Sequence, residues 1–429
     1  MTASSKRSAP ASRKTPFLKI LGPGLIAGAS DDDPSGIATY SQAGAQFGYG
    51  LMWTLLFTYP LMAAIQEISA RIGRVTGHGI AGNIRRHYPK WLLYPLVGLV
   101  LSANVINLGA DLGAMGAGVE LLLGGPALVY VALFGIASVL LEVFMRYSRY
   151  VAVLKWLSLS LLAYAATAFV VDVPWSKVAL HTILPHITWK ADYFLTVVAV
   201  FGTTISPYLF FWQAEEEVED QQQHRGAKPL RRAPAQAPNE IRRIEIDTYF
   251  GMGLSNLIAL FIVVTTAATL NIHGITDIGT SAEAAEALRP LAGDFAFAIF
   301  AAGIIGTGLL ALPVLAGSAA YALGEALAWP VGLARLWYQA RAFYGTIAVA
   351  TAIGVVMNYL PIDPMKALFW SAVCNGVAAV PIMIVMMLIA TRRQVMGPLT
   401  LPLPLRLLGW FATAAMAMAV LVMLGSWLA

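Results

Sequence analysis

Long apolar runs separated by short polar segments account for almost the whole chain, and this pattern predicts helices that cross a membrane. About 20 apolar residues span a bilayer as a helix, and by this criterion the sequence contains about eleven spans. A composition of 58% hydrophobic and 12% charged residues agrees with this interpretation and excludes a soluble domain. The predicted spans cover approximately residues 17–47, 50–72, 92–122, 126–145, 151–171, 192–220, 245–271, 294–326, 342–360, 366–390 and 404–428.

Two of the runs contain residues that interrupt a helix. The first run is broken by the sequence DDDPSG at residues 31–36, and the sixth is broken between Gly202 and Pro207. Proline removes a backbone donor and glycine allows non-helical angles, so each break frees backbone groups that must be satisfied inside the protein. A carboxylate at this depth costs at least ~2.5 kcal/mol, which makes the first break a candidate cation site.

The positions of the two breaks indicate an inverted repeat. Each broken span is the first of a set of five, and because five is odd the two sets must have opposite orientations in the membrane. Paired broken helices in inverted halves are typical of the central site of secondary transporters. We therefore divide the chain into a first repeat at residues 16–172, a second repeat at 173–391 and an additional span at 392–429.

Two polar segments are predicted to be disordered or flexible. Residues 1–15 are basic and rich in Ser and Ala, which predicts a disordered cytoplasmic tail. Residues 221–240 are rich in Pro, Ala, Gln and Arg, which predicts a flexible cytoplasmic linker within the second repeat.

The placement of the basic residues predicts the orientation of the chain. All but four of the 28 Lys and Arg residues fall on one side under this span assignment. The positive-inside rule places that side in the cytoplasm, so we expect a cytoplasmic N-terminus and an external C-terminus in the cell (inner) membrane. The net charge of +5 is therefore mostly a topology signal, and nucleic-acid binding is not expected.

Four short motifs resemble the NRAMP family of divalent-metal transporters. They are GPG at residues 22–24, DPSG at 33–36, SQAGAQFGY at 41–49 and SARIGRVTG at 69–77. The resemblance runs over most of the chain and implies a LeuT-like fold of two inverted five-helix repeats. It also implies a metal site between broken helices 1 and 6 and, as is usual in the family, coupling of metal uptake to protons.

The resemblance also implies a set of metal ligands, and this chain departs from the family at several of them. The family's first-span motif is DPGN, so the metal-binding Asp is kept as Asp33 while the metal-binding Asn is replaced by Gly36. The sixth-span motif is AxxMPH, in which the Ala carbonyl and the Met sulfur are ligands. Thr203 stands at the Ala position and Ser206 at the Met position. Asn375 matches roughly the position of a further polar site residue in the tenth span.

Residues that serve the family's proton path are largely replaced. The His that follows the sixth-span proline is Tyr208 here, and a second family His aligns with Gln213. The third span keeps the family Asp as Asp111, but the Glu three residues later is Ala114. Because few titratable members of this path are left, we expect metal uptake without proton coupling.

The replacements indicate a site that offers only oxygen ligands, which suits Mg²⁺ and tolerates Mn²⁺. The chain therefore resembles the NRAMP-related magnesium transporter branch, and we expect import by alternating access. The expected partners are the divalent cation and the lipid bilayer, with no cofactor beyond the transported Mg²⁺ or Mn²⁺ and with a monomeric chain. The expected metal site comprises Asp33, Gly36, Thr203, Ser206, Asp32 and Asn375.

The same residues also have structural interpretations. Asp33 could cap the helix that follows it, the Ser206 hydroxyl could satisfy freed backbone groups, and Asn375 could form an interhelical hydrogen bond. Asp31 and Asp32 could lie close to the metal or in a wet vestibule.

Other roles and other functions are open at this point. The acidic stretch at residues 215–220 could concentrate cations at the exit or pair with the basic residues that follow it. A proton-coupled Mn²⁺/Fe²⁺ transporter with an unusual site is the first alternative function, and a non-transporting membrane metal sensor is the second. The sequence contains no HExxH, GxSxG or Cys/His constellation, so we do not expect an enzyme.

Overall fold

The structure is a computed structural model that describes residues 23–144, 161–224 and 226–428, and every regular element in these ranges is helical. The helices are α1 (Pro23–Asp31), α2 (Pro34–Phe47), α3 (Met52–Thr76), α4 (Ile80–His87), α5 (Lys90–Leu123), α6 (Ala127–Phe144), α7 (Leu162–Val170), α8 (Trp175–Ile183), α9 (Ala191–Thr204), α10 (Pro207–Gln223), α11 (Ala237–Thr269), α12 (Ser281–Glu286), α13 (Arg289–Ala292), α14 (Ala296–Leu327), α15 (Arg341–Met357), α16 (Pro364–Thr391), α17 (Arg393–Met396) and α18 (Leu403–Leu428).

The helices agree with the predicted all-α polytopic membrane protein. Length and hydropathy identify eight helical segments in the described residues that are able to cross a membrane. One of them contains both α2 and α3, which a tight turn at Gly48–Leu51 joins, and α15 is a shorter apolar helix. Residues 151–160 of the predicted fifth span lie outside the described residues, and α7 covers most of the remainder. The tail predicted at residues 1–15 also lies outside them.

The first and sixth spans are both broken, as the sequence predicts. α2 begins at Pro34 and α10 begins at Pro207, each after a short interruption of the helix. Proline suits the first helical position because its missing N–H would have no partner there. The residue before each proline is extended, with φ −68° and ψ 171° at Asp33 and φ −85° and ψ 135° at Ser206. The chain therefore leaves the helix at both breaks and exposes polar groups inside the bundle.

α1 is held against α11 by backbone contact and by a buried cap. A Cβ atom at Gly28 would lie inside van der Waals contact with the Gly251 backbone, so only glycine allows this approach. Asp247 accepts hydrogen bonds from the amides of Gly24 at 2.7 Å and Leu25 at 3.0 Å. The cap satisfies amides at the start of α1, which have no partner within the helix.

We predict that Gly28→Val lowers the thermal midpoint of the detergent-purified protein by several degrees. The added side chain must push α1 away from α11, and overpacking of this kind costs about 1–3 kcal/mol. The matched control is Gly98→Val on α5, where an added Cβ meets no atom within 4 Å. Equal thermal midpoints for the two variants would contradict the close packing of α1 on α11.

The segment between α10 and α11 makes specific contacts with the rest of the bundle that its composition does not reveal. The ends of the predicted linker at residues 221–240 belong to these two helices. Between them the amides of Leu230 and Arg231 donate to the carbonyls of Arg74 and Val75, both at 3.1 Å, and Leu230 is fully buried. The segment is therefore tied to the end of α3 by hydrogen bonds that no local sequence pattern reveals.

Charged residues join several helices at one end of the bundle, which we call the basic face. It is formed by α4, the C-terminal ends of α3, α10 and α14, and the N-terminal end of α11. Arg74 forms ion pairs with Asp220 at 3.0 Å and Glu240 at 2.6 Å, and Arg243 pairs with Glu217. Part of the acidic stretch thus pairs with basic residues, one of the two interpretations that the sequence left open.

Candidate metal site between the broken helices

The two helix breaks meet in the middle of the bundle. The Tyr208 hydroxyl, in the first turn of α10, lies 3.2 Å from Oδ2 of Asp33 and 3.1 Å from the carbonyl oxygen of Ser30, and its single proton is shared between these two acceptors. A Cβ atom at Gly36 would lie only 3.3 Å from Oγ1 of Thr203. The structure therefore brings the first and sixth spans together at the residues that the sequence singled out.

The Asp33 carboxylate is surrounded by donors. Its Oδ1 accepts hydrogen bonds from the Ser35 hydroxyl and the Gly36 amide, both at 2.7 Å. Its Oδ2 accepts from the Asn107 amide at 3.0 Å and from Tyr208 at 3.2 Å. Four donors around one carboxylate stabilise its ionised form. Asp33 thus caps α2 with one oxygen and presents its second oxygen at the break.

Asn107 links this carboxylate to α16 and was not identified from the sequence. Its Oδ1 accepts hydrogen bonds from the Ser371 hydroxyl at 2.8 Å and from the Asn375 amide at 3.3 Å. These two donors fix the orientation of the Asn107 amide, so that its N–H group points to Asp33. An amide in an apolar span, one turn before Asp111, was the only signal in the sequence. Asn375 itself forms an interhelical hydrogen bond and keeps a buried Oδ1 without a hydrogen-bond partner.

Asp31 and Asp32 lie beside Asp33 but are directed to α11. The Ser255 hydroxyl lies 2.5 Å from Oδ2 of Asp31 and 3.1 Å from Oδ1 of Asp32. All three aspartates are at most 3% exposed, and Asp111 on α5 is fully buried. None of the four forms an ion pair with a Lys or Arg side chain in the described part of the chain. The centre of the bundle therefore holds four carboxyl groups without a basic partner, a setting that marks a candidate cation site.

The second break presents oxygen atoms. The Ser206 hydroxyl donates to the carbonyl of Gly202 at 2.6 Å and to that of Thr203 at 2.9 Å. The hydroxyl thus gives a partner to carbonyl groups that the interrupted helix leaves without one. This agrees with the structural interpretation of Ser206, in which its hydroxyl satisfies freed backbone groups. The hydroxyl oxygen keeps its lone pairs, and each carbonyl keeps a second one. Ser206 and Thr203 can therefore still act as ligands from this position.

The centre is not a closed metal cage. In the ranges that the structure describes, no three Asp, Glu, His or Cys side chains converge on one point. Gln213, at the position of a family His, has both amide atoms buried without a hydrogen-bond partner. The arrangement suits an ion that keeps part of its water shell and binds one carboxylate and neutral oxygen atoms.

A cavity of about 260 Å³ approaches the break from the opposite face, the end of the bundle where α2 ends and α9 and α16 begin. Ala38 in its wall lies one helical turn beyond Pro34. On the basic face, by contrast, ion pairs and hydrogen bonds join the helix ends. The polar and charged residues in the cavity wall are Gln42, Gln46, Thr196, Asp192, Asp277 and Lys366.

Fold and site together define a multi-pass membrane protein in which two broken helices meet at a buried cluster of carboxyl groups, which is the architecture of secondary transporters. Residues 24–426 match the family described as natural resistance-associated macrophage protein-like, or Nramp. The chain belongs to this family, as the motifs around the first break indicated.

Sequence relatives span most of the chain. It is 28% identical over 393 residues to the divalent metal cation transporter MntH of Acidiphilium cryptum, which covers 89% of this chain and 84% of that protein. It is 27% identical over 422 residues to MntH of Klebsiella pneumoniae strain 342, covering 96% of this chain and 94% of that protein.

Solved structures show the same fold at low sequence identity. The manganese transporter of Eremococcus coleocola superposes with a TM-score of 0.74 at 16% identity, covering 97% of this chain and 89% of that one. Mhp1, a nucleobase-cation-symport-1 family transporter, gives 0.55 at 12% identity with coverage of 95% and 92%. MhsT in complex with L-phenylalanine gives 0.51 at 13% identity with coverage of 94% and 98%. The predicted LeuT-like fold is therefore confirmed.

Proposed function

We propose that this protein is a divalent metal transporter that imports Mg²⁺ in preference to Mn²⁺, without coupling to protons. The observation that carries the proposal is the chemistry of the two breaks. Every group that the described residues bring to Asp33 is an oxygen or nitrogen donor, and the opposing break offers the Ser206 hydroxyl and the Thr203 carbonyl. Transport of a divalent metal is also what the names of the MntH relatives state for those proteins.

The preference for Mg²⁺ follows from ligand hardness and hydration. Hard oxygen ligands suit Mg²⁺ and Mn²⁺, whereas a thioether favours softer ions. Mg²⁺ loses its water reluctantly and is usually held by one or two carboxylates with several waters retained. In this site Asp33 is the carboxylate, and Gly36 adds no side chain between the two breaks. Asp32, Thr203, Ser206 and Asn375 complete the proposed set of residues around the hydrated ion.

An incoming cation must compete with the donors that already surround Asp33. The Tyr208 hydroxyl is the longest of the four contacts, at 3.2 Å, and it also joins α10 to the end of α1. We place the ion on the Oδ2 side of Asp33, where it replaces this donor or binds it through a water. Displacing Tyr208 loosens the contact between the two broken helices, which gives ion binding a route to the conformational change.

Uptake without proton coupling is supported by the residues that this chain has at the positions of the family's proton path. Tyr208 and Gln213 are not titratable near neutral pH, and Ala114 is inert. The membrane potential then supplies the driving force, at about 2.3 kcal/mol per charge per 100 mV, or about 4.6 kcal/mol for a divalent ion. With the basic face in the cytoplasm, as the charge distribution predicts, an inside-negative potential drives import.

The proposal is tested by following Mg²⁺ and pH together in liposomes that contain the purified protein. We expect Mg²⁺ influx that increases with an inside-negative potential, is inhibited by Mn²⁺, and leaves the internal pH unchanged. Acidification driven by Mn²⁺ with no Mg²⁺ flux would show instead a proton-coupled Mn²⁺/Fe²⁺ transporter. Metal binding without flux of any ion would show a sensor.

A further inference from the structure

A pair of acidic residues, one buried and one partly buried, lies on the basic face, away from the helix breaks. Glu215 on α10 is 2% exposed, and its side chain is hydrogen-bonded to that of Glu325 on α14. A Cβ atom built at Gly79 would lie 2.7 Å from an oxygen of Glu325 and closer still to an oxygen of Glu215. The two carboxyl groups therefore occupy the same small space above the start of α4.

The partners of the pair show which member carries the charge. Glu325 accepts hydrogen bonds from the amides of Gly79 at 2.9 Å and Gly82 at 2.6 Å, at the N-terminus of α4. A helix N-terminus favours an ionised carboxylate. Oε1 of Glu215 is buried and receives no hydrogen bond from any donor in the described residues. Two carboxylates in contact cannot both be ionised, so a hydrogen bond between them requires one proton.

Among the residues that the structure describes, no Lys or Arg side chain forms an ion pair with Glu215. Glu216 and Glu219 face it from its own helix, and Arg85 on α4 faces Glu325. Glu219 is engaged elsewhere, because it accepts hydrogen bonds from the Tyr321 hydroxyl and from the Leu333 amide at 2.6 Å. These acidic neighbours disfavour ionisation of Glu215, so the proton is held on that residue.

One face of α10 connects the Glu215–Glu325 pair to the central site. Tyr208, Trp212 and Glu215 are spaced at i, i+4 and i+7, so they share one face of α10. Tyr208 contacts Asp33, and Trp212 packs edge to face on Tyr321 of α14, with ring centroids 6.2 Å apart. Glu215 lies about 10 Å from Tyr208 along the helix axis. Any separation of α10 from α14 must break the Glu215–Glu325 contact.

We propose that Glu215 and Glu325 bind one proton between them while the basic face is closed, and that its release allows α10 to part from α14. As the pair separates, the Glu215 O–H bond breaks and the proton passes to the solution on the basic face. The proton returns from that solution when the face closes. It is therefore not carried across the membrane, and transport depends on pH without net proton flux. The inference rests on the proposed function because opening of this face is a step of transport.

The test is the pH dependence of Mg²⁺ flux into liposomes that contain the full chain, with equal pH on both sides. Wild-type flux is expected to rise with pH by up to about tenfold per unit, the limit for an equilibrium linked to one proton. Glu215→Gln should be nearly independent of pH, because its amide donates to Glu325 at every pH. Glu245→Gln, which removes a carboxylate of the same face that pairs with Arg71, should retain the wild-type response. A flat wild-type profile or an unchanged profile in Glu215→Gln would overturn the proposal.

His78 on the basic face does not account for this dependence. Burial, and the nearby charges of Arg86 and Arg85, lower the pKa of His78 to about 4, so this side chain is already neutral near pH 7 and stays neutral as the pH rises.

A second readout keeps the proposal testable if the variant carries no ions. The infrared difference spectrum between the wild type and Glu215→Gln at neutral pH should contain a protonated carboxyl band, and a difference spectrum without this band would overturn the proposal. Absence of Mg²⁺ flux in the wild type would refute the proposed function while leaving this spectroscopic test decisive for the pair.

Discussion

Asp33→Asn is expected to reduce Mg²⁺ and Mn²⁺ flux at least about 100-fold, because unit charges 4 Å apart interact by about 4 kcal/mol even at an effective dielectric constant of about 20. The substitution changes charge but hardly changes size. Asparagine caps helices about as well as aspartate, so α2 keeps its start. The loss of flux would therefore come from the missing charge between the two breaks.

A matched control separates the effect of removing the charge at the centre from the effect of changing a helix cap. Asp363 also precedes a proline and caps α16, where its Oδ1 accepts the Met365 amide at 2.8 Å. Asp363→Asn should leave flux and thermal midpoint close to those of the wild type. Flux through Asp33→Asn comparable to that of Asp363→Asn would show that the ion does not depend on the first break.

Ser206→Met is expected to move selectivity from Mg²⁺ toward Mn²⁺ and Cd²⁺ by about tenfold, which corresponds to about 1.4 kcal/mol of differential binding. The thioether is a soft ligand that stabilises Cd²⁺ and Mn²⁺ more than Mg²⁺. The substitution also removes the hydroxyl that donates to the carbonyls of Gly202 and Thr203. The measurement is the concentration of Mg²⁺ that halves Mn²⁺ or Cd²⁺ uptake in liposomes.

Ser206→Ala is the control for this prediction, because it removes the same hydroxyl and adds no sulfur. It should lower the flux of all ions without a gain for Cd²⁺. If Ser206→Met has the same selectivity among Mg²⁺, Mn²⁺ and Cd²⁺ as the wild type, the residue at this position does not set the ion preference. An ordinary proton-coupled transporter with an unusual site would then account better for the chain.

The local features of the fold could be predicted because they depend on neighbouring residues. Pro34 and Pro207 each follow a residue able to cap a helix, so the two breaks are visible in the sequence alone. Hydropathy locates the spans because a bilayer imposes a fixed length. The meeting of the breaks followed from the inverted repeat and from the family resemblance.

The contacts that complete the site depend on side chains far apart in the sequence. Asn107 is a polar residue in an apolar span, and only the packing of α5 against α16 shows that Ser371 orients it toward Asp33. Likewise, Ser255 is one of many serines, and its contact with Asp31 and Asp32 requires the position of α11. The sequence left both interpretations of Ser206 open because a hydroxyl can satisfy a backbone carbonyl and bind an ion from the same place.

The most direct test of the account is anomalous diffraction from crystals of the protein soaked in Mn²⁺. We predict one strong peak between the two broken helices, beside Oδ2 of Asp33 and close to the Thr203 carbonyl, which weakens when Mg²⁺ is added in excess. Mn²⁺ bound only at other places, with no peak at the breaks, would contradict the account.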